Sequence, residues 1–573
     1  MSKEPHQTLA RGARLRHALI RFRRSEDGSL VVFGIIILVL MIMIGGIAVD
    51  VMRYEARRTE LQNTLDRSTL AAASLTQELT PTDVVHDYFL KAGILDSLRS
   101  VQVTQGMNFR NVDASAISDT DPLFLHMMEI DRLDAAGQST AEQRINNVEI
   151  MLVLDVSGSM GNNSRLVNLK TAASDFVETV LSRDTENKIS IGIVPFNGQV
   201  NLGDALAAKF NITDQNGVAS GRWCVDLPAS TYTELSISRT DALSQTANAD
   251  TYSGSSTSTP SESNKWCPLT GTVTYNDPNG VETETFYANQ VHLPIQNVEK
   301  LKAYINGMTA VGATSINAGL KWGTALLDPS MRSVYGDFIT AGGTVPATLA
   351  GRPLDYNADD AMKVIVLMTD GEHFAEERVK TDSNGVNYKT GASTIWRAND
   401  GRMSVFHASR VDNTNATTIA NSRPFYVMGV GWQSQPWTGA APPGGTPYVP
   451  ALTTYSGATN WTWQTVWATY GMQYVARNFY ANIVGGYTSD WTNTFRGQTP
   501  TGDMDDQLQA MCNLAKEQNT LIYGIAFEAP ANGQTQIRDC ASSVAHYFNA
   551  SGLQISSAFN AIANNISQLR LTQ

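Results

Sequence analysis

Residues 30–49 (LVVFGIIILVLMIMIGGIAV) are 20 consecutive positions without a charge. As a helix this run is about 30 Å long, the thickness of a bilayer's hydrocarbon core. It predicts one membrane span, residues 29–49, after an N-terminal segment of residues 1–28. Lys3, Arg11, Arg14, Arg16, Arg21, Arg23 and Arg24 precede the run, whereas only Arg53, Arg57 and Arg58 follow closely. The positive-inside bias places the N-terminus in the cytoplasm and exports the remainder. A cleaved signal peptide is the rival reading; against it, the run is long and Asp50-Val51-Met52-Arg53 follows with no small-residue cleavage site. Residues 50–75 lack Gly and Pro and are rich in helix formers, so they read as a helical stalk with Leu61, Leu65 and Ala72 as a packing stripe. An amphipathic helix lying on the chain's own exported part fits the same residues.

The charge is divided along the chain. Residues 1–75 carry 11 basic and 7 acidic side chains, a net +4, which leaves −16 on the rest of a chain of net −12. So acidic a remainder argues against nucleic acid as a partner, because phosphate binding needs basic patches. The four cysteines, Cys224, Cys267, Cys512 and Cys540, include no Cys-x-x-Cys pair. Of three possible pairings, the simplest is Cys224–Cys267 and Cys512–Cys540, each bracketing one local segment. Each closure stabilises by roughly 3.5–4 kcal/mol on the loop-entropy model. Four buried free thiols are the alternative, which export disfavours.

The segment Val148-Glu149-Ile150-Met151-Leu152-Val153-Leu154 reads as a strand buried on both faces of a parallel sheet. A helix over 164–181 and a strand over 188–194 complete a βαβ rhythm. The rhythm returns with helices over 298–308 and 315–327, strands over 362–369 and 519–527, and a closing helix over 555–569. Two insertions, about 197–295 and 373–518, interrupt it. Within the first, residues 244–264 are rich in Ser, Thr and Asn and read as an exposed loop. The second holds Trp396, Trp432, Trp437, Trp461, Trp463, Trp467 and Trp491. Residues 76–147 read as a connecting region with short strands, ending in a polar linker over 134–147.

Three places carry oxygen-bearing side chains at one rim of such a sheet. Asp155, Ser157 and Ser159 follow the first strand, Thr314 precedes a helix in Gly312-Ala313-Thr314-Ser315, and Asp370 follows the strand ending Met368-Thr369. Ligands of open α/β sheets sit beyond the carboxyl ends of the strands. Two carboxylates and three hydroxyls suit a hard divalent cation such as Mg²⁺, which retains waters and so leaves a position for a partner's carboxylate. Taken alone, Ser157 or Ser159 also reads as a helix cap.

With all three places in order, the chain resembles a von Willebrand factor type A (VWA) domain. Asp155-Val156-Ser157-Gly158-Ser159-Met160, Thr314 and Thr369-Asp370-Gly371 match that family's metal-ion-dependent adhesion site (MIDAS). The resemblance implies an α/β fold, a doubly wound, mostly parallel VWA/Rossmann-like sheet, over residues 148–573 with the two insertions. It also implies that Asp155, Ser157, Ser159, Thr314 and Asp370 hold Mg²⁺, with Mn²⁺ or Ca²⁺ as substitutes.

Asp27-Gly28-Ser29, the apolar run, Gly46-Ile47-Ala48-Val49-Asp50 and Glu60-Leu61-Gln62-Asn63-Thr64-Leu65-Asp66 resemble the membrane segment of TadG-like proteins of bacterial tight-adherence (Flp) pilus loci. Relatives cleaved by prepilin peptidase carry Glu five residues beyond the cleavage Gly; here Phe33 stands there, which speaks against cleavage after Gly28. The resemblance implies a single-pass protein of the bacterial inner membrane, its C-terminal domain periplasmic or surface-exposed. It implies a protein partner and other pilus-assembly components.

An enzyme is not expected. The chain has no His-Glu-x-x-His, Gly-x-Ser-x-Gly or Gly-x-x-x-x-Gly-Lys-Ser/Thr motif. Glu372 and His373 form an acid/base pair only on a minor reading; a solvated loop is preferred. The remaining alternatives are a lectin-like adhesin stacking sugars on the Trp-rich insertion, against which those aromatics are more often an insertion's own core, and a metal-dependent hydrolase.

Overall fold

The computed structural model describes residue 20 and residues 27–74, 79–105, 109–144, 147–184, 186–213, 221–280, 282–341, 344–358, 360–381 and 385–572. Most of the basic N-terminal segment, and residue 75 of the expected stalk, lie outside them. The described residues form two compact bodies, one up to residue 144 and one from residue 147.

In the first body one helix, α1 (Asp27–Ala73), contains the whole apolar run. Its length and composition are compatible with a single membrane anchor. The second half of α1 is not a bare stalk. Leu61, Leu65 and Ala72 bury in one core with Val112 and Ala114. These belong to an antiparallel sheet of β1 (Leu98–Gln105), β2 (Phe109–Thr120) and β3 (Leu133–Arg144), with α2 (Pro81–Lys91) completing the core. Residues 134–144 of the expected polar linker are therefore part of β3, while 145–146 lie outside the described residues. Ala135 is fully buried and alternates with exposed Asp134 and Ala136, and a Cβ on Gly137 would lie 2.8 Å from Leu65. Small side chains let the strand sit under the helix, so an apolar run was unnecessary.

The second body is built on a six-stranded sheet. Its strands are β4 (Asn147–Asp155), β5 (Ile189–Phe196), β6 (His292–Ile295), β7 (Ala361–Thr369), β8 (Leu521–Phe527) and β9 (Tyr547–Ala550), in the order β6-β5-β4-β7-β8-β9. Every neighbouring pair is parallel except β6 with β5. Alternate residues of β4 enter different cores. Ile150, Leu152 and Leu154 pack with α3 (Arg165–Ser182), α4 (Val298–Gly307) and α8 (Gln554–Thr572). Met151 and Val153 pack with α5 (Ile316–Leu327), α6 (Thr501–Glu517) and α7 (Ala531–Cys540). Burial on both faces is why these strands read as unbroken apolar runs.

Three expectations shift here. The first insertion ends earlier than expected, because His292–Ile295 forms the sheet edge; four residues holding a His and a Pro show no strand signal on their own. The second ends earlier too, because Leu508 and Met511 of α6 belong to the main core. Residues 244–264 are an exposed loop only in their second part: Gln245–Ala247, Ala249–Thr251 and Ser253 are buried, while Tyr252, Gly254, Ser256, Thr257, Thr259 and Ser263 are exposed. Asp250 is fully buried, and its carboxylate accepts backbone N–H bonds from Tyr252 (3.0 Å), Ser253 (2.7 Å) and Ser261 (2.6 Å). One carboxylate thus organises a polar stretch that has no apolar pattern. Disulfides join Cys224 to Cys267 and Cys512 to Cys540, the latter tying α6 to α7.

His292 supplies a pH-dependent contribution. Its ring stacks on Tyr304 with centroids 3.5 Å apart and meets Phe286 edge-on. Burial, followed by the nearby Lys300 charge, pushes its pKa down to about 3 from an ordinary 6.5. The folded protein therefore keeps this ring neutral, and its stability contribution is full above pH 6.5 and lost as pH falls toward 3. Between pH 7 and 5 the expected loss is about 2 kcal/mol. Urea unfolding at both pH values checks it, with His292→Phe expected to shrink the difference.

Candidate metal centre

β4 ends at Asp155 because a carboxylate is tolerated at a buried strand's rim only where donors meet it. One carboxylate oxygen of Asp155 accepts the Ser157 backbone N–H at 2.7 Å, and the other accepts the Thr369 hydroxyl at 2.6 Å. Thr369 closes β7, so adjacent strands deliver the two groups. The Ser157 and Ser159 hydroxyls lie 3.0 Å apart, and Ser159 donates to the Asp370 carboxylate at 2.7 Å. The loop before α5 is tied to the same rim, since Gly158 N–H donates to the Gly312 carbonyl at 2.9 Å and Val311 N–H to the Val156 carbonyl at 2.9 Å. Thr314 stands beside the Asp370 loop. A Cβ on Gly371 would lie 3.5 Å from its hydroxyl, and Phe374 N–H donates to its carbonyl at 3.0 Å. The five expected residues thus sit together, reached from three loops.

Asp155 and Asp370 are both buried. Burial and then the Asp370 charge push Asp155 up to about 7. Two carboxylates in one dry place favour a cation, and the hydroxyls around them are hard oxygen donors that fit Mg²⁺ better than a soft metal. Among the described residues no group of three or more His, Cys, Asp or Glu side chains gathers as a metal cluster; this donor set has two carboxylates and depends on hydroxyls.

Two neighbours complete the charge pattern. Arg165, the first residue of α3, donates to the second Asp370 oxygen at 2.7 Å and to Glu528 at 2.9 Å. Glu528 directly follows β8, so the strand-end rule that located Asp155 and Asp370 applies to it as well. Arg165 carries no comparable signal, because its partners are 205 and 363 residues away.

A cavity of about 470 Å³ opens above the site, lined by Ser159, Thr314 and Asp370 on one side. Tyr252, Trp266 and Phe374 wall the other, with Tyr252 edge-on to Phe374 at 5.4 Å and Trp266 tilted to it at 6.2 Å. His373 is buried and not on a solvated loop. Its Nδ1 lies 2.6 Å from Asp505, and its Nε2 accepts the Asn317 backbone N–H at 3.1 Å. With both ring nitrogens engaged, it positions α5 and is not available as a base. Of the seven tryptophans of the second insertion, three are buried and four are half-buried, Trp491 packing against the core that holds Trp463 and Trp467. Trp396, Trp463 and Trp467 are buried, while Arg402, Arg410 and Arg397 lie over Trp437, Trp432 and Trp461.

Residues 28–75 match the family model described as a putative Flp pilus-assembly TadE/G-like domain. No curated protein matches the chain. Among solved structures, the vWF domain of the type V pili tip protein Mfa5 from Porphyromonas gingivalis is 12% identical over 75% of this chain and 98% of that one, with a TM-score of 0.31. The adhesive tip pilin GBS104 from Group B Streptococcus agalactiae is 10% identical over 74% of this chain and 99% of its own, with a TM-score of 0.26. The pilus adhesin RrgA from Streptococcus pneumoniae is 9% identical over 82% of this chain, which spans 49% of RrgA, with a TM-score of 0.28.

Proposed function

We propose that this chain is a membrane-anchored VWA-type protein of pilus assembly or adhesion that binds a protein partner through a divalent cation. The observation carrying the reading is the convergence of Asp155, Ser157, Ser159, Thr314 and Asp370 from three loops at one sheet rim beneath a cavity. These five residues would hold Mg²⁺, which supplies a Lewis-acidic position for an incoming carboxylate. The protein's own part is to keep that place ready. Thr369 orients Asp155, Arg165 holds Asp370, and the loop before α5 presents Thr314. The aromatic wall of Tyr252, Trp266 and Phe374 offers an apolar surface to the partner residue beside the carboxylate. Function here is binding and not turnover. In this reading α1 anchors the protein in the inner membrane with the N-terminus in the cytoplasm and the second body exported.

The test is capture of pilus-assembly components by the full-length protein in detergent. Capture that EDTA and Asp155→Ala both abolish supports the reading. Capture of glycans that survives EDTA would favour the lectin-like alternative instead, and metal-dependent turnover would favour a hydrolase.

A further inference from the structure

Residues 123–130 form an apolar turn laid along α1, and nothing in the proposed function uses it. Leu123, Met127, Met128 and Ile130 are 64%, 72%, 50% and 38% exposed, an unusual concentration of large apolar side chains on one short turn. The turn is seated firmly. Asp50 of α1 accepts the backbone N–H groups of Leu123 (2.9 Å), Phe124 (2.7 Å) and Leu125 (2.8 Å). Phe124 fits against Gly46 so closely that a Cβ there would fall 2.3 Å from the ring. Phe124, Met127 and Met128 share a groove of about 250 Å³ with Val39, Ile42, Met43 and Ile47 of the apolar run.

We propose that this turn is a wedge inserted into the lipid at the boundary between acyl chains and headgroups, in the leaflet nearest Asp50. The proposal rests on the reading of α1 as a membrane anchor. Phe124 is seated at Gly46, four residues and about 6 Å along the helix from Asp50, so the turn meets the span at its shallow end. Continuity with the span argues for lipid as the occupant. So does the backbone chemistry, because a turn can enter a low-dielectric layer only if its free N–H groups are satisfied, and Asp50 satisfies three. The polar groups of the same turn set a shallow depth. His126 pairs with Asp131 at 2.7 Å, and both are exposed, as is Glu129, so they remain among headgroups while Leu123, Met127 and Met128 point inward, as in interfacial elements generally.

The test uses the full-length protein in phosphatidylcholine/phosphatidylglycerol vesicles. Among the described residues every native cysteine is disulfide-bonded, so single introduced cysteines accept an environment-sensitive fluorophore. Met127→Cys reports the wedge, Leu38→Cys the span and Val544→Cys the exposed second body. Spin-labelled lipids should quench the labels at 127 and 38 but not at 544, with shallow spin labels more effective than deep ones at 127. Adding Gly46→Leu, which removes the seat of Phe124, should reduce quenching at 127 and leave 38 unchanged; quenching at 127 that ignores Gly46→Leu overturns the docked wedge. Quenching at 38 without quenching at 127 overturns the wedge while the anchor stands. A label at 127 shielded from both lipid quenchers and aqueous iodide places protein over the turn, which also overturns it. No quenching at 38 removes the anchor and the wedge with it.

Discussion

Replacing Lys363 by methionine is expected to destabilise the second body by about 3–5 kcal/mol, because it strands a buried carboxylate. Glu149 on β4 and Lys363 on β7 face each other in parallel register, with Nζ 2.5 Å from the carboxylate. Both are almost completely buried. Lys363 also donates to the Leu327 carbonyl at 2.8 Å, and Glu149 accepts the Leu354 backbone N–H at 2.9 Å. Burial holds the lysine below its ordinary pKa, and the Glu149 charge opposes that shift. Urea unfolding of Lys363→Met against wild type measures the loss. The double variant Glu149→Leu/Lys363→Met should recover much of it, since apolar replacement of both partners is often neutral or stabilising. A double variant as unstable as the single one would show that the pair's other hydrogen bonds, and not its charges, hold this part of the sheet.

Saturating Mg²⁺ is expected to stabilise the protein by about 2.7 kcal/mol at a hundred times its dissociation constant, by mass action on the folded state. Asp155→Ala should abolish the gain while leaving the metal-free protein folded. Removing that carboxylate also relieves the burial and repulsion that push Asp155 up to about 7. The melting temperature of the full-length protein in detergent, with EDTA and then with Mg²⁺, Mn²⁺ or Ca²⁺, gives the readout. No shift with any of the three ions would mean the five residues do not hold a metal. An equal shift in Asp155→Ala would place the ion elsewhere.

How much of this was legible beforehand depended on the range of the interaction. The helices over α3, α4, α5 and α8 and the strands β4, β5, β7 and β8 were readable because each carries its own apolar period. The candidate ligands were readable for a related reason, since an apolar run buried on both faces that stops at a carboxylate puts that carboxylate at the rim, as at Asp155 and Asp370. Glu528 obeys the same rule and was available to it. Strand β3 and the buried residues around Asp250 were not, because small or polar side chains there take their order from α1 and from Asp250.

The sequence by itself determined a 20-residue apolar helix, a buried α/β sheet and oxygen donors at the ends of its strands, because burial writes these patterns locally. Only the tertiary structure decided that Thr369 holds Asp155, that Arg165 bridges Asp370 and Glu528, that Lys363 answers Glu149, and that residues 123–130 lie along the apolar helix. Each of those contacts joins residues tens to hundreds of positions apart. Their partners are chosen by register and packing, which no local pattern encodes.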